Sequence, residues 1–186
     1  MDLKAIRKTR FLVFFLVSSL LFSACSVTMN SVTSRNYNTE DKNILILMSY
    51  DSYTEKIVKT FEEEFMRQAM NSKNKIDFFV IPPKRVSETL ELNKQSDAAE
   101  KIKAKIAEVN ADIVISIVTE HKGLVNGALT YVRYLATGRE TVDNTEIWKS
   151  RIELNMGNWG GKASVAKKMA TEFYNKLVSD RVILQK

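Results

Sequence analysis

The chain predicts an α/β protein built on a mixed sheet of about five strands, and three observations carry that reading. NILILMS (43–49), KIDFFVIPP (75–83) and ADIVISIV (111–118) are almost continuously apolar, as strands buried on both faces are. Amphipathic stretches of helical period separate them. Further on, TEIWKSRIELNM alternates strictly: Trp148, Ser150, Ile152, Leu154 and Met156 on one face, Lys149, Arg151, Glu153 and Asn155 on the other. That period of two belongs to a half-solvated antiparallel strand.

Taken in order, the first apolar run is followed by a helix whose stripe is Tyr53, Ile57, Phe61, Phe65 and Ala69. The run Glu62-Glu63-Glu64 reads as a solvated face of it rather than a carboxylate site. The second strand stops at Pro82-Pro83, which cannot continue a ladder. A loop with one helical turn around Val86 and Leu90 leads to a second helix, with Ala99, Ile102, Ile106 and Val109 as its stripe and Asp97-x-x-Glu100 as its start signal. The third strand completes β-α-β-α-β, and right-handed crossovers make these three strands parallel in the order 2-1-3. ALTYVRYLA and the alternating segment then form an antiparallel pair around Thr137-Gly138. A last helix carries Val165, Ala166, Met169, Ala170, Phe173 and Leu177 as its stripe.

The N-terminus has a different character. MDLKAIRKTR is a charged leader and FLVFFLVSSLLF an apolar stretch of twelve. That is short of the ~20 residues a membrane helix needs and suits a signal peptide. Leu21-Phe22-Ser23-Ala24-Cys25 resembles the lipobox of bacterial lipoproteins, in which the cysteine takes diacylglycerol, with palmitate-type chains, and becomes the mature N-terminus. The expected organisation is a signal peptide over 1–24, a tether over 25–42 and one domain over 43–186. The Ser/Thr/Asn-rich tether would reach about 23 Å as a flexible chain. Ser26 after the cysteine favours the outer membrane, facing the periplasm, under the usual sorting rule. Several acyl chains on one residue anchor firmly.

Composition excludes much else. The 186 residues are 45% hydrophobic and 27% charged, with a net charge of +6. Half of that charge sits in the leader, in Lys4, Arg7, Lys8 and Arg10 against Asp2. The remainder is interspersed, unlike the clustered basic face of a nucleic-acid binder. One cysteine and one histidine leave no intramolecular disulfide, multi-thiolate metal site or ordinary zinc set. No metal and no cofactor is expected.

Candidate sites are few. MGNWGGKAS lacks the P-loop spacing and has Ala163 where a hydroxyl is needed, so it reads as a glycine turn entering the last helix. The first βα turn, MSYDSYTE, has no glycine, against a dinucleotide fingerprint. His121, with Thr119, Glu120 and Lys122, follows the third strand, where α/β folds place ligands, but one histidine beside one glutamate is a weak signal and the segment reads as a solvated loop. Trp148 reads as core. Trp159, in a Gly/Asn loop, reads as a partner-contact residue or a helix-end cap.

With KNILILMS, FEEEF, ADIVISIV, EIWKSRIEL and the ending AKKMATEFYNKLVSDRVI, the chain resembles a group of small bacterial lipoproteins. Their compact α/β domain is similar to the N-terminal domain of TolB and related envelope accessory lipoproteins. In that group the last helix ends near Asp-Gly-Leu-Ile, whereas Asp180-Arg181-Val182-Ile183 here lacks the glycine. The resemblance implies fold and cellular address and carries no catalytic residue. The expected function is that of a non-enzymatic accessory module, membrane-bound through Cys25 and contacting envelope proteins in assembly, transport or maintenance. The alternative is a small-ligand-binding or hydrolytic domain with its site at the strand ends near Ser49, Pro82 and His121. A lipid-carrying module would need an apolar cavity between sheet and helices.

Overall fold

A computed structural model describes residues 26–34, 39–81, 95–156 and 161–186. Among them are six strands and three helices: β1 (Ser26–Thr33), β2 (Ile44–Ser49), α1 (Glu55–Ala69), β3 (Ile76–Ile81), α2 (Gln95–Val109), β4 (Ile113–Val125), β5 (Ala128–Glu140), β6 (Glu146–Asn155) and α3 (Lys162–Ser179). They form one mixed sheet in the order β1-β6-β5-β4-β2-β3. β2 runs parallel to β3 and β4, which is the expected 2-1-3 arrangement of the three apolar runs. β4, β5 and β6 are antiparallel neighbours.

Helices cover the β2 region on both sides, which is why its sequence shows no alternation. Ile44, Ile46 and Met48 join the main core under α1 and α3. Leu45 and Leu47 face the other way and pack with Val109 and Ala111 at the end of α2, together with Ile102 and Ile106. Aromatic rings fill the main core. Phe173 stands edge-on to Phe61 and to Phe65, each at 5.6 Å, and to Trp148 at 5.8 Å. Burial of these side chains contributes about 1.5–3 kcal/mol each. Trp148 is 1% exposed, as its place on the alternating strand predicted, and the stripe of α3 is buried throughout.

Four expectations need correction. Residues 26–33, assigned to the tether, form β1 and pair antiparallel with β6 from Ser26↔Asn155 to Thr33↔Trp148. Val27 and Met29 pack against the core while Thr28, Asn30 and Val32 face out; this strand makes the sheet six-stranded. Thr39, also in the supposed tether, is buried and its hydroxyl donates to the Arg181 carbonyl at 2.8 Å. β4 does not stop at Val118 but continues through His121 to Val125, paired with β5. Thr137-Gly138 is strand rather than turn, paired with Ser116 and Ile115 of β4 on one side and with Lys149 and Trp148 of β6 on the other. The turn into β6 falls later, after Glu140.

Two stripe residues also differ. Tyr53 precedes α1 and is exposed, with Val58 taking a buried place instead. Ala99 is exposed on α2, and that helix starts at Gln95, two residues before the expected Asp97. Cys25, the turn around Val86 and Leu90, Pro82-Pro83 and Trp159 lie outside the described residues.

Candidate functional site

At the carboxyl end of β2 the chain turns sharply into α1, and Asp51 organises that turn. Its Oδ1 accepts the backbone N–H groups of Tyr53 and Thr54, each at 3.0 Å, and the Thr54 hydroxyl at 3.0 Å. The Asp51 N–H in turn donates to Thr54 Oγ1 at 3.0 Å. Lys122, from the extended part of β4, forms an ion pair with Asp51 Oδ2. Burial raises the Asp51 carboxyl, but the hydrogen bonds from Lys122, Thr54 and Tyr53 outweigh it and hold the group below the ordinary aspartate range. Beneath this turn Tyr134 is fully buried. Burial and then the Asp51 charge push its hydroxyl far above the usual tyrosine range, with Thr54 acting in the opposite sense.

The strand-end residues named from sequence do not converge on a reacting centre. Ser49 closes β2 opposite Ile81. His121 is exposed and pairs across the ladder with Arg133, its ring 6.0 Å from that of Tyr131. Neighbouring strand positions project to opposite faces, so Lys122 meets Asp51 on the helix side while His121 lies on the other. Glu120 sits at a bulge between Thr119 and His121. It lies 3.9 Å from Arg133 Nε and 3.4 Å from Arg151 Nε, and Arg133 also holds Glu153 at 2.9 Å. This is a half-solvated, charge-balanced cluster on the open sheet face. Pairs of that kind contribute about 0–1 kcal/mol each.

Beside the Asp51 turn is a shallow open depression of about 280 Å³, lined by residues that include Tyr53, Glu55, Lys56, Lys59 and Lys162. Lys59 pairs with Glu55 at 2.6 Å, and Lys162 Nζ donates to the Tyr53 carbonyl at 2.8 Å. Lys122 Nζ lies 5.3 Å from the centre of the Tyr53 ring, within cation–π range. Chemically this rim attracts negative charge. Among the described residues, no three His, Cys, Asp or Glu side chains are grouped so as to hold a metal ion.

A second half-buried carboxylate, Asp180, ties the far side of the domain together. Trp148 Nε1 donates to its Oδ2 at 2.8 Å, the Ser31 hydroxyl donates to the same oxygen, and Lys176 Nζ lies 3.0 Å from Oδ1. These bonds bring β1, β6 and α3 to one point. Sequence reading did not join Lys122 to Asp51, nor Asp180 to its partners, which lie up to 149 residues away. It also missed the β4–β5 hairpin, although the dipeptide Asn126-Gly127 signals one directly.

The fold is thus that of an α/β protein with a six-stranded mixed sheet. No protein-family model and no curated protein sequence matches the chain. Among solved structures it aligns with a PelC dodecamer from Paraburkholderia phytofirmans at 13% identity and a TM-score of 0.49, over 87% of this chain and 100% of that one. A variant PelC dodecamer from the same organism gives 15% identity, 80% and 96% coverage and the same TM-score of 0.49. Lipoprotein GNA1162 from Neisseria meningitidis aligns at 14% identity and a TM-score of 0.40, over 74% of this chain and 99% of that one.

Proposed function

We propose that this protein is an acylated envelope lipoprotein, held through Cys25 on the outer membrane and facing the periplasm. It serves as an accessory module that works through contacts with envelope proteins rather than through catalysis. The observation that carries the reading is the junction at Cys25. The lipobox-like sequence Leu21-Phe22-Ser23-Ala24-Cys25 ends there, ahead of the described strand β1 (Ser26–Thr33). The strand-end polar groups support the non-catalytic part, since Asp51 is engaged by backbone amides, Thr54 and Lys122 in shaping a turn.

Crosslinking in intact membranes, with partners identified and wild type compared with Cys25→Ala, tests the reading. We expect acyl mass on the N-terminal peptide of the wild type, loss of membrane association in the variant, and enrichment of specific envelope proteins only when the anchor is present. Unacylated wild-type protein would refute the anchor. Absence of any enriched envelope protein would refute the accessory role.

A further inference from the structure

We propose that the β4–β5 hairpin tip and the lysine rim beside it form the face on which the domain rests against an anionic phospholipid surface, that of the membrane holding Cys25. The inference rests on the anchoring reading above and adds to it an orientation and a lipid preference.

Position comes first. Ser26 pairs with Asn155, Asn155 with Tyr131 and Tyr131 with Gly123, so the four lie in one row across β1, β6, β5 and β4. At about 4.8 Å per strand, Gly123 stands about 14 Å from Ser26 across the sheet. The peptide bond to Cys25 leaves from this row, at the end of the sheet where the hairpin projects. Beyond Gly123 the hairpin continues through Leu124 and Val125 into the turn at Asn126-Gly127. At about 3.3 Å per residue it extends about 7–10 Å past the row. That is close to the depth, about 5–10 Å, to which interfacial apolar groups enter a bilayer.

Chemistry agrees with position. At the tip Leu124 is 45% exposed and Val125 56% exposed. Lys122 precedes them on β4 and adjoins, through Tyr53, a rim of Lys56, Lys59 and Lys162, with two carboxylates, Asp51 and Glu55, paired to Lys122 and Lys59. These groups are contiguous through Tyr53, which meets Lys122 with its ring and Lys162 with its carbonyl. Apolar side chains at the tip with an excess of lysine around it match an anionic headgroup layer over acyl chains. Val142, 93% exposed, lies at the opposite end of the sheet next to Asp143 and serves as an internal reference.

The test uses the full acylated protein. Acylation consumes the only native thiol, so Val125→Cys and, separately, Val142→Cys each carry a single environment-sensitive fluorophore. Vesicles contain either phosphatidylcholine alone or equal parts of phosphatidylcholine and phosphatidylglycerol. In the latter we expect a blue shift at position 125 and loss of its emission when acyl-chain nitroxide lipids are included, with neither change at 142. Leu124→Glu, or Lys56→Glu with Lys162→Glu, should abolish both changes while the protein still floats with the vesicles. If position 125 behaves like 142 in floating protein, or is shielded only when an envelope protein is added, the proposal is overturned. Wild-type protein that takes up the thiol label and fails to float shows instead that the anchor reading has failed, and this inference falls with it.

Discussion

Arg181 follows α3 with φ at +58°, a left-handed conformation in which a Cβ costs about 1–2 kcal/mol. The turn needs that conformation. Val182 N–H reaches back to the Leu177 carbonyl at 2.8 Å and Arg181 N–H to Val178 at 3.0 Å, so the last helical carbonyls are satisfied while buried Val182 joins the core with Leu177. Glycine fits this position without the penalty, and its carbonyl would still accept from Thr39. Allowing for glycine's looser unfolded chain, Arg181→Gly should stabilise the domain by about 0.5–1 kcal/mol, seen as a higher denaturation midpoint. Asp180, one residue earlier, should show its role through pH. Burial raises its carboxyl, but bonds from Ser31, Trp148 and Lys176 bring it below the ordinary 3.8. Because the folded value is the lower one, its stabilisation is complete above 3.8 and disappears as pH falls through the folded value. Asp180→Asn should therefore flatten the acid limb of the stability profile. Asp180→Ala should cost about 1–3 kcal/mol at neutral pH, since it leaves the buried Trp148 N–H without its acceptor.

At the scale of elements, what the sequence revealed depended on how each one is buried. β2, the start of β4, α1 and α3 were legible because their faces meet apolar partners, so the side-chain pattern repeats the geometry. β1 was not: it sits at the sheet edge, only Val27 and Met29 reach the core, and the next residue on that face, Ser31, is satisfied by Asp180 rather than by packing. Its remaining signal was a run of Val and Thr, weak because β propensity reports packing surroundings more than backbone preference. The outer half of β4 was hidden for a related reason. Thr119 to Lys122 are polar because both faces there are solvated or paired with charge, and such a segment looks like a loop. Of the site residues, Lys122 and Asp51 could not be joined by any local rule, being separated by 71 positions. Met29→Asp tests the status of β1. Placing a charge on its inward face should detach the strand, so that β6 amides opposite Ser26–Thr33 exchange faster while those of β2 stay protected, as hydrogen exchange would show.

For the whole molecule, replacing a tether by a strand changes what anchoring means. A free segment over 26–42 would let the domain range about 23 Å from the lipid. With Ser26 already in β1, acylation of Cys25 as proposed would place the anchor one peptide bond from the sheet and would set which end of it faces the membrane. On the proposed reading, orientation would follow from covalent geometry, with the hairpin and lysine rim as the second contact. The effective concentration of that contact depends on leash length and falls roughly as its −3/2 power once the linker exceeds the span. Inserting a flexible Ser-led Gly/Ser segment between Cys25 and Ser26 keeps serine after the cysteine and leaves β1 its register with β6. Such a protein should be acylated and float with anionic vesicles as the wild type does, and unfold at the same denaturant concentration. Its probe at Val125→Cys should lose part of the blue shift and of the nitroxide quenching, progressively as the insert lengthens. Unchanged shielding at every length would show that the tip holds the membrane by its own affinity, and that the short junction at Cys25 plays no part in orienting the domain.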